Sequence, residues 1–127
     1  MTTNKSYFRA LLDAGFDSLV GVPCSYFNEM SNFFHLKKKL YITNNEGEAV
    51  AFATGLKLSG GNPIVFFQNS GLGNAINPLT SLTLPCKIPL LIMVSLRGDP
   101  ELNDEPQHEI MGKVTKKILN DIGIKTY

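Results

Sequence analysis

One feature constrains this chain more than any other: short apolar runs alternate with segments of helical periodicity. The apolar runs are 17–22, 40–43, 64–68 and 89–95. Between and around them, 5–14, 25–34, 46–58, 74–84 and 109–122 carry apolar residues at helical spacing,. Their ends carry helix stops such as Gly15, Gly60-Gly61 and Gly123,. Strands that are apolar on both faces must be covered on both faces. The pattern therefore predicts a three-layer α/β domain with a mostly parallel sheet and helices on each side. A further strand is expected to begin at 124–127, so the chain reads as a fragment or as one half of a split enzyme.

That architecture also says where to look for chemistry. Ligands of parallel sheets bind beyond the carboxyl ends of the strands. Here those ends are Gly21-Val22-Pro23-Cys24-Ser25, Asn44-Asn45-Glu46, Gln68 to Gly73 and Ser95 to His108. Every polar constellation in the chain thus falls on one edge of the sheet.

Composition narrows the class of function. The 127 residues are 43% hydrophobic and 18% charged, with net charge +1, which fits one globular domain with a sizeable core,. No basic stripe suggests nucleic acid. Lys37-Lys38-Lys39 is a short cluster at a helix end, where cations suit the dipole,. The apolar run 88–94, interrupted by Pro89, is too short for a bilayer,, and the N-terminus lacks a signal-peptide pattern. Cys24 and Cys86 form no ligand spacing, which argues against a zinc or disulfide scaffold and suits a reducing cytoplasm,.

Two features on the sheet edge bear on catalysis. Gly71-Leu72-Gly73 follows a strand and opens a helix, so its amides could face an anion. Ile76 stands where a dinucleotide fingerprint has its third glycine, and a plain tight turn explains the pair as well,. Glu46 and Glu48 start a helix in which Ala49, Ala51 and Ala53 leave room for a close backbone or a flat ligand. Both carboxylates could simply complement the positive helix end. Glu48 fits that role. Glu46, if it faces a dry pocket, would instead share a proton with a ligand nitrogen.

The spacing E-x-x-A-x-x-x-A-x-G at Glu46, Ala49, Ala53 and Gly55 resembles the pyrimidine-binding domain of thiamine-diphosphate-dependent decarboxylases. Gly21-Val22-Pro23-Cys24-Ser25 and Gly71-Leu72-Gly73-Asn74-Ala75 follow the same pattern. The runs N-E-G-E-A-V, Q-N-S-G-L-G-N-A-I-N-P-L and R-G-D-P-E-L-N-D-E-P-Q-H are similar to the phosphonopyruvate decarboxylase branch. The resemblance extends from about Gly15 to Tyr127 and implies a cytoplasmic carboxy-lyase that yields phosphonoacetaldehyde and carbon dioxide.

The resemblance also implies roles for single residues. Glu46 would hydrogen-bond a ring nitrogen of the aminopyrimidine and promote the tautomer that deprotonates the cofactor. Asn69, Ser70, Gly71 and Gly73 would line the cofactor. Ser25, which also suits a helix N-cap, would approach the substrate carboxylate. Cys24 stands where many members carry an acid, so no proton relay is assigned to it. Arg97 would grip the phosphonate through its guanidinium fork, unless it pairs with Asp99 or Glu101. Gln107 and His108 would face the substrate, His108 as donor or proton relay, with a solvated loop histidine as the alternative. His35 reads as ordinary surface.

Members of this family bind the diphosphate through magnesium on a second domain marked by G-D-G and a later N-N. No G-D-G occurs here. No metal ligand is therefore assigned to this chain, which would be inactive alone and would need a diphosphate-binding domain or subunit within a homo-oligomer. Two rival readings stand: a sulfopyruvate decarboxylase alpha subunit, and a non-catalytic α/β module that binds phosphate at the Gly71 turn.

Overall fold

The computed structural model describes residues 4–127. Four strands, β1 (Ser18–Gly21), β2 (Leu40–Ile42), β3 (Pro63–Gln68) and β4 (Leu91–Ser95), form one sheet in the order β2-β1-β3-β4. Every pairing is parallel, with Val20 opposite Val65 and Gln68 opposite Ser95. The helices are α1 (Asn4–Asp13), α2 (Asn28–Leu36), α3 (Glu46–Leu58), α4 (Leu72–Pro78) and α5 (Glu109–Asp121).

Alternation along the strands builds two cores. Leu19, Ile64 and Phe66 point to one face and pack with Phe8 of α1 and with Met30 and Phe34 of α2. Val20, Val65 and Phe67 point to the other, against Ala49, Val50 and Ala53 of α3, Leu72 and Ala75 of α4 and Leu119 of α5. The central strand β3 is buried from Pro63 to Phe67, as double coverage requires,. The outer strands are not: Tyr41 and Ile42 of β2 are exposed, and Leu91 to Val94 are only partly covered.

Several boundaries differ from expectation. Ser25 caps no helix, because the chain enters α2 through a 3₁₀ turn (Ser25–Phe27) and neither turn nor helix has a side-chain cap. The helix expected from 74 begins at Leu72, and beyond Pro78 it widens into a π turn (Leu79–Thr83). Proline has no N–H for the carbonyl four residues back, and the chain continues with Leu84 N–H bonded to Leu79 O at 3.0 Å,. Residues 124–127 form no strand. Gly123, at φ +83°, closes α5 with Ile124 N–H on Leu119 O at 2.8 Å,. No helix among the described residues is long and apolar enough to cross a membrane.

Gly21 shows why the sheet edge needs a bare backbone. A Cβ on it would overlap the Phe66 carbonyl, the same oxygen that accepts from Val22 N–H at 3.2 Å. The chain leaves β1 flush against β3, and this carries Cys24 over the strand ends.

Candidate active site

The carboxyl ends of β1, β3 and β4 meet around a 3₁₀ turn, Asn69–Gly71. Each of its three residues holds a different part of the site.

Gly71 holds Glu46. Glu46 is 9% exposed, and its carboxylate lies against the Gly71 Cα so closely that a Cβ there would overlap it. The Gly71 φ of −87° is ordinary, so glycine is required by proximity rather than by conformation,. Asn74 Nδ2 donates to Glu46 Oε2 at 2.8 Å. The carboxylate is therefore fixed from two sides at the first residue of α3.

Helix α3 starts cleanly because Asn45 is extended and its Oδ1 accepts from Glu48 N–H at 3.0 Å,. Glu48 reaches back, accepting from Asn44 N–H at 2.7 Å and Asn44 Nδ2 at 3.0 Å. This reciprocal cap engages Glu48 and leaves Glu46 to the interior. Small residues then bring α3 onto α4, with a Cβ on Gly47 meeting the Asn74 carbonyl at 2.8 Å. Ala49 and Ala53 are buried at that contact; Ala51, expected to share it, is exposed, and Gly55 meets nothing.

Asn69 holds the loop after β4. It is fully buried, and its Nδ2 donates to the Arg97 carbonyl at 2.8 Å and to Thr115 Oγ1 at 3.1 Å. Its Oδ1 accepts from Arg97 N–H at 3.1 Å. The Asn69 amide, expected to line the cofactor, is thus engaged within the protein.

The Arg97 side chain pairs with Asp104, not with Asp99 or Glu101. Nε donates to Oδ2 at 2.7 Å and Nη2 to Oδ1 at 2.5 Å. Asp99 is turned away, accepting instead from Glu101 N–H. Asp104 Oδ2 also accepts from Gly98 N–H at 2.7 Å, so the carboxylate closes the 97–104 loop. The Arg97 hydrogen bond holds the Asp104 carboxyl well below the usual carboxylate range, and Asp104 raises the guanidinium in turn,. Arg97 also stacks on Tyr26, Cζ to ring centroid 5.2 Å,. Two of its five N–H groups are engaged by Asp104, and the opposite edge of the guanidinium meets no hydrogen-bond partner among the described residues,.

Gly98, at φ +72°, lets this loop pass against α5. A Cβ on it would overlap the His108 carbonyl, and one on Gly112 would overlap the Gly98 carbonyl. His108 is thereby tied through its backbone to the Arg97 loop, at the end of the 3₁₀ turn Pro106–His108. Gln107 and Ser25 are exposed, and Gly73 has open space around it.

Ser70 holds the third part. Its Oγ accepts from Gln68 Nε2 at 2.8 Å, while Gln68 Oε1 accepts from Cys24 Sγ at 3.7 Å. Cys24 Sγ lies 3.3 Å from Ser95 Oγ. The turn thus links Glu46, packed on Gly71, with Ser70 and, through Asn69, with the Arg97 loop, whose Gly98 packs on the His108 carbonyl. Asn74, Gln68, Asp104, Tyr26 and Thr115 are the members that sequence reasoning missed. Asn74 stood in the quoted G-L-G-N run, and Asp104 was one of four acids in its loop.

At the start of α3, then, a buried carboxylate lies beside a bare glycine. Residues 1–118 match the family model described as "Thiamine pyrophosphate enzyme, N-terminal TPP binding domain". The chain belongs to this family. A phosphonopyruvate decarboxylase of Streptomyces viridochromogenes is 44% identical over 112 residues, covering 87% of this chain and 28% of the relative. One from Streptomyces hygroscopicus is 43% identical, covering 91% and 29%. A sulfopyruvate decarboxylase subunit alpha of Methanococcus maripaludis is 37% identical, covering 98% of this chain and 75% of that subunit. The chain thus spans under a third of the phosphonopyruvate enzymes and three quarters of the separate alpha subunit. The parallel sheet and its flanking helices agree with the pyrimidine-binding fold. Among the described residues, no group of three His, Cys, Asp or Glu is arranged to hold a metal.

Proposed function

We propose that this domain forms the pyrimidine-binding wall of a carboxy-lyase that converts phosphonopyruvate to phosphonoacetaldehyde and carbon dioxide. The observation that carries the reading is Glu46, buried at the start of α3, held by Asn74 and lying on the bare Cα of Gly71. Thiamine diphosphate, when bound, supplies the electron sink for loss of carbon dioxide.

The chain's own residues bind and move protons. Glu46 hydrogen-bonds a ring nitrogen and shares a proton with it, and Asn74 keeps the carboxylate aimed. Gly71 admits the close approach, with Ser70 and Gly73 beside it. Arg97 offers its free guanidinium edge to the phosphonate, and Asp104 and Tyr26 hold that edge in position. Cys24, Ser25 and Gln107 border the substrate, and His108 donates to it or relays a proton. Magnesium and its ligands belong to a diphosphate-binding domain or subunit, and the working enzyme is a homo-oligomer. Two free cysteines, Cys24 buried and Cys86 exposed, fit a reducing cytoplasm,.

Sulfopyruvate is the second substrate to test, because an alpha subunit of that enzyme aligns with nearly this whole chain. Phosphonate and sulfonate differ by about one charge near neutral pH. The deciding experiment pairs the domain with its continuation or partner subunit and assays both substrates with thiamine diphosphate and magnesium. Glu46→Gln, which keeps shape and removes proton sharing, is expected to lower kcat by roughly 100-fold or more. Near-normal turnover would remove Glu46 from the mechanism.

A further inference from the structure

The chain Ser95–Cys24–Gln68–Ser70 joins the ends of β4, β1 and β3, and the donor count gives it a direction. Cys24 has one proton, which it donates to Gln68 Oε1 at 3.7 Å,. The 3.3 Å contact between Cys24 Sγ and Ser95 Oγ, in which either atom can donate, extends the chain to β4. At its other end Gln68 donates through Nε2 to Ser70 Oγ at 2.8 Å, so that oxygen is an acceptor. The Ser70 hydroxyl proton has no other protein partner among the described residues, and Ser70 is exposed. Cys24 and Ser95 are 8% and 6% exposed, which shields the inner end of the relay from solvent.

We infer that Gln68 is a positioning residue that fixes the Ser70 hydroxyl as an outward donor to an oxygen of the anionic 2-oxo acid. This rests on the decarboxylase reading above. It goes further in giving the hydroxyl a direction and in assigning work to Gln68, Cys24 and Ser95. The substrate is favoured over the cofactor because Asn69, next in the chain, anchors Arg97, the residue suited to the same anion. A donor facing outward there adds to the positive potential of the guanidinium. An acceptor facing outward would oppose it.

The test uses the assembled enzyme and two readouts. Steady-state decarboxylation gives KM, and calorimetry with phosphonopyruvate, beside a cofactor analogue blocked at its reactive carbon, gives affinity without turnover. Ser70→Ala removes the donor, Gln68→Met removes its anchor, and Gln68→Glu turns the Ser70 proton inward. Each is expected to weaken substrate binding and raise KM about tenfold, with a smaller change in kcat and in cofactor affinity. The Ser70→Ala/Gln68→Met pair is expected to be no worse than either single change, since both cut one chain.

Additive losses, or normal KM in both Gln68 variants, would overturn the role of Gln68. Weakened cofactor binding with normal substrate affinity would overturn the choice of ligand. An enzyme that binds phosphonopyruvate but never decarboxylates it, with the same losses in the variants, would sink the decarboxylase reading and support the hydroxyl assignment. Binding of neither phosphonopyruvate nor sulfopyruvate would overturn both.

Discussion

At Gly71 any side chain would have to share its space with the Glu46 carboxylate. The Gly71 backbone angle suits any residue, so alanine would meet no backbone strain; the added methyl would meet the Glu46 carboxylate instead. Glu46 is boxed in by Asn74 and buried, so it must rotate away or force α3 from α4. Gly71→Ala is therefore expected to keep its fold at a cost of about 1–3 kcal/mol. Its kcat should fall about as far as that of Glu46→Gln, roughly 100-fold. Urea titration and kinetics on the assembled enzyme measure the two effects; wild-type kcat would show that the contact is slack. In the sequence Gly71 reads as an amide-presenting turn, and Glu46 cannot be told from Glu48 by local pattern alone. The two carboxylates part only in three dimensions. Glu48 closes a cap three residues from Asn45, whereas Glu46 meets residues contributed by the next strand–helix unit.

The loop between β4 and α5 shows how an irregular element is made rigid. Its entry is clamped by Asn69, its span is closed by Asp104, and its exit runs glycine against glycine at Gly98 and Gly112. Charge pattern along the loop did not identify the partner of Arg97. Asp99, Glu101, Asp104 and Glu105 are all within reach of a flexible side chain, and only the reversal at Gly98 selects Asp104. The pair has a pH signature. Arg97 depresses the Asp104 pKa in the folded state, so the stabilisation is present above the unfolded value of about 3.9,. It is lost as pH falls toward the folded value. Asp104→Asn is expected to have a lower urea midpoint than wild type by a constant margin from pH 8 to pH 5, narrowing only below about pH 4. A margin that narrowed between pH 6 and pH 8 would point to a different titrating group.

At the scale of the molecule, the alternation of strands and helices was enough to recover the parallel sheet and its two covered faces. What it could not recover was the finish of the sheet edge. The π turn after Pro78, the 3₁₀ entry to α2 and the unpaired residues 124–127 depend on local chain geometry and on what packs against β4. A groove of about 1350 Å³ runs along β4, lined by Tyr26, Phe27, Leu91, Met93, Ile124 and Tyr127 among others. In the reading proposed above, the sheet edge supplies the Glu46 carboxylate, the Ser70 hydroxyl and the Arg97 guanidinium. Were thiamine diphosphate bound, magnesium would link its phosphate oxygens to protein carboxylates, and we propose that these lie in a second domain or subunit. No cluster of such ligands is present among the described residues. Calorimetry with thiamine diphosphate should therefore divide in two. The 127-residue chain alone is expected to bind at least about 100-fold more weakly than the assembled enzyme, a difference of about 2.8 kcal/mol. Adding magnesium should tighten binding only in the assembly, because only there can the metal join protein carboxylates to the diphosphate. Tight, magnesium-dependent binding by the chain alone would mean that it carries the metal site itself, and the division of the cofactor between two walls would fall.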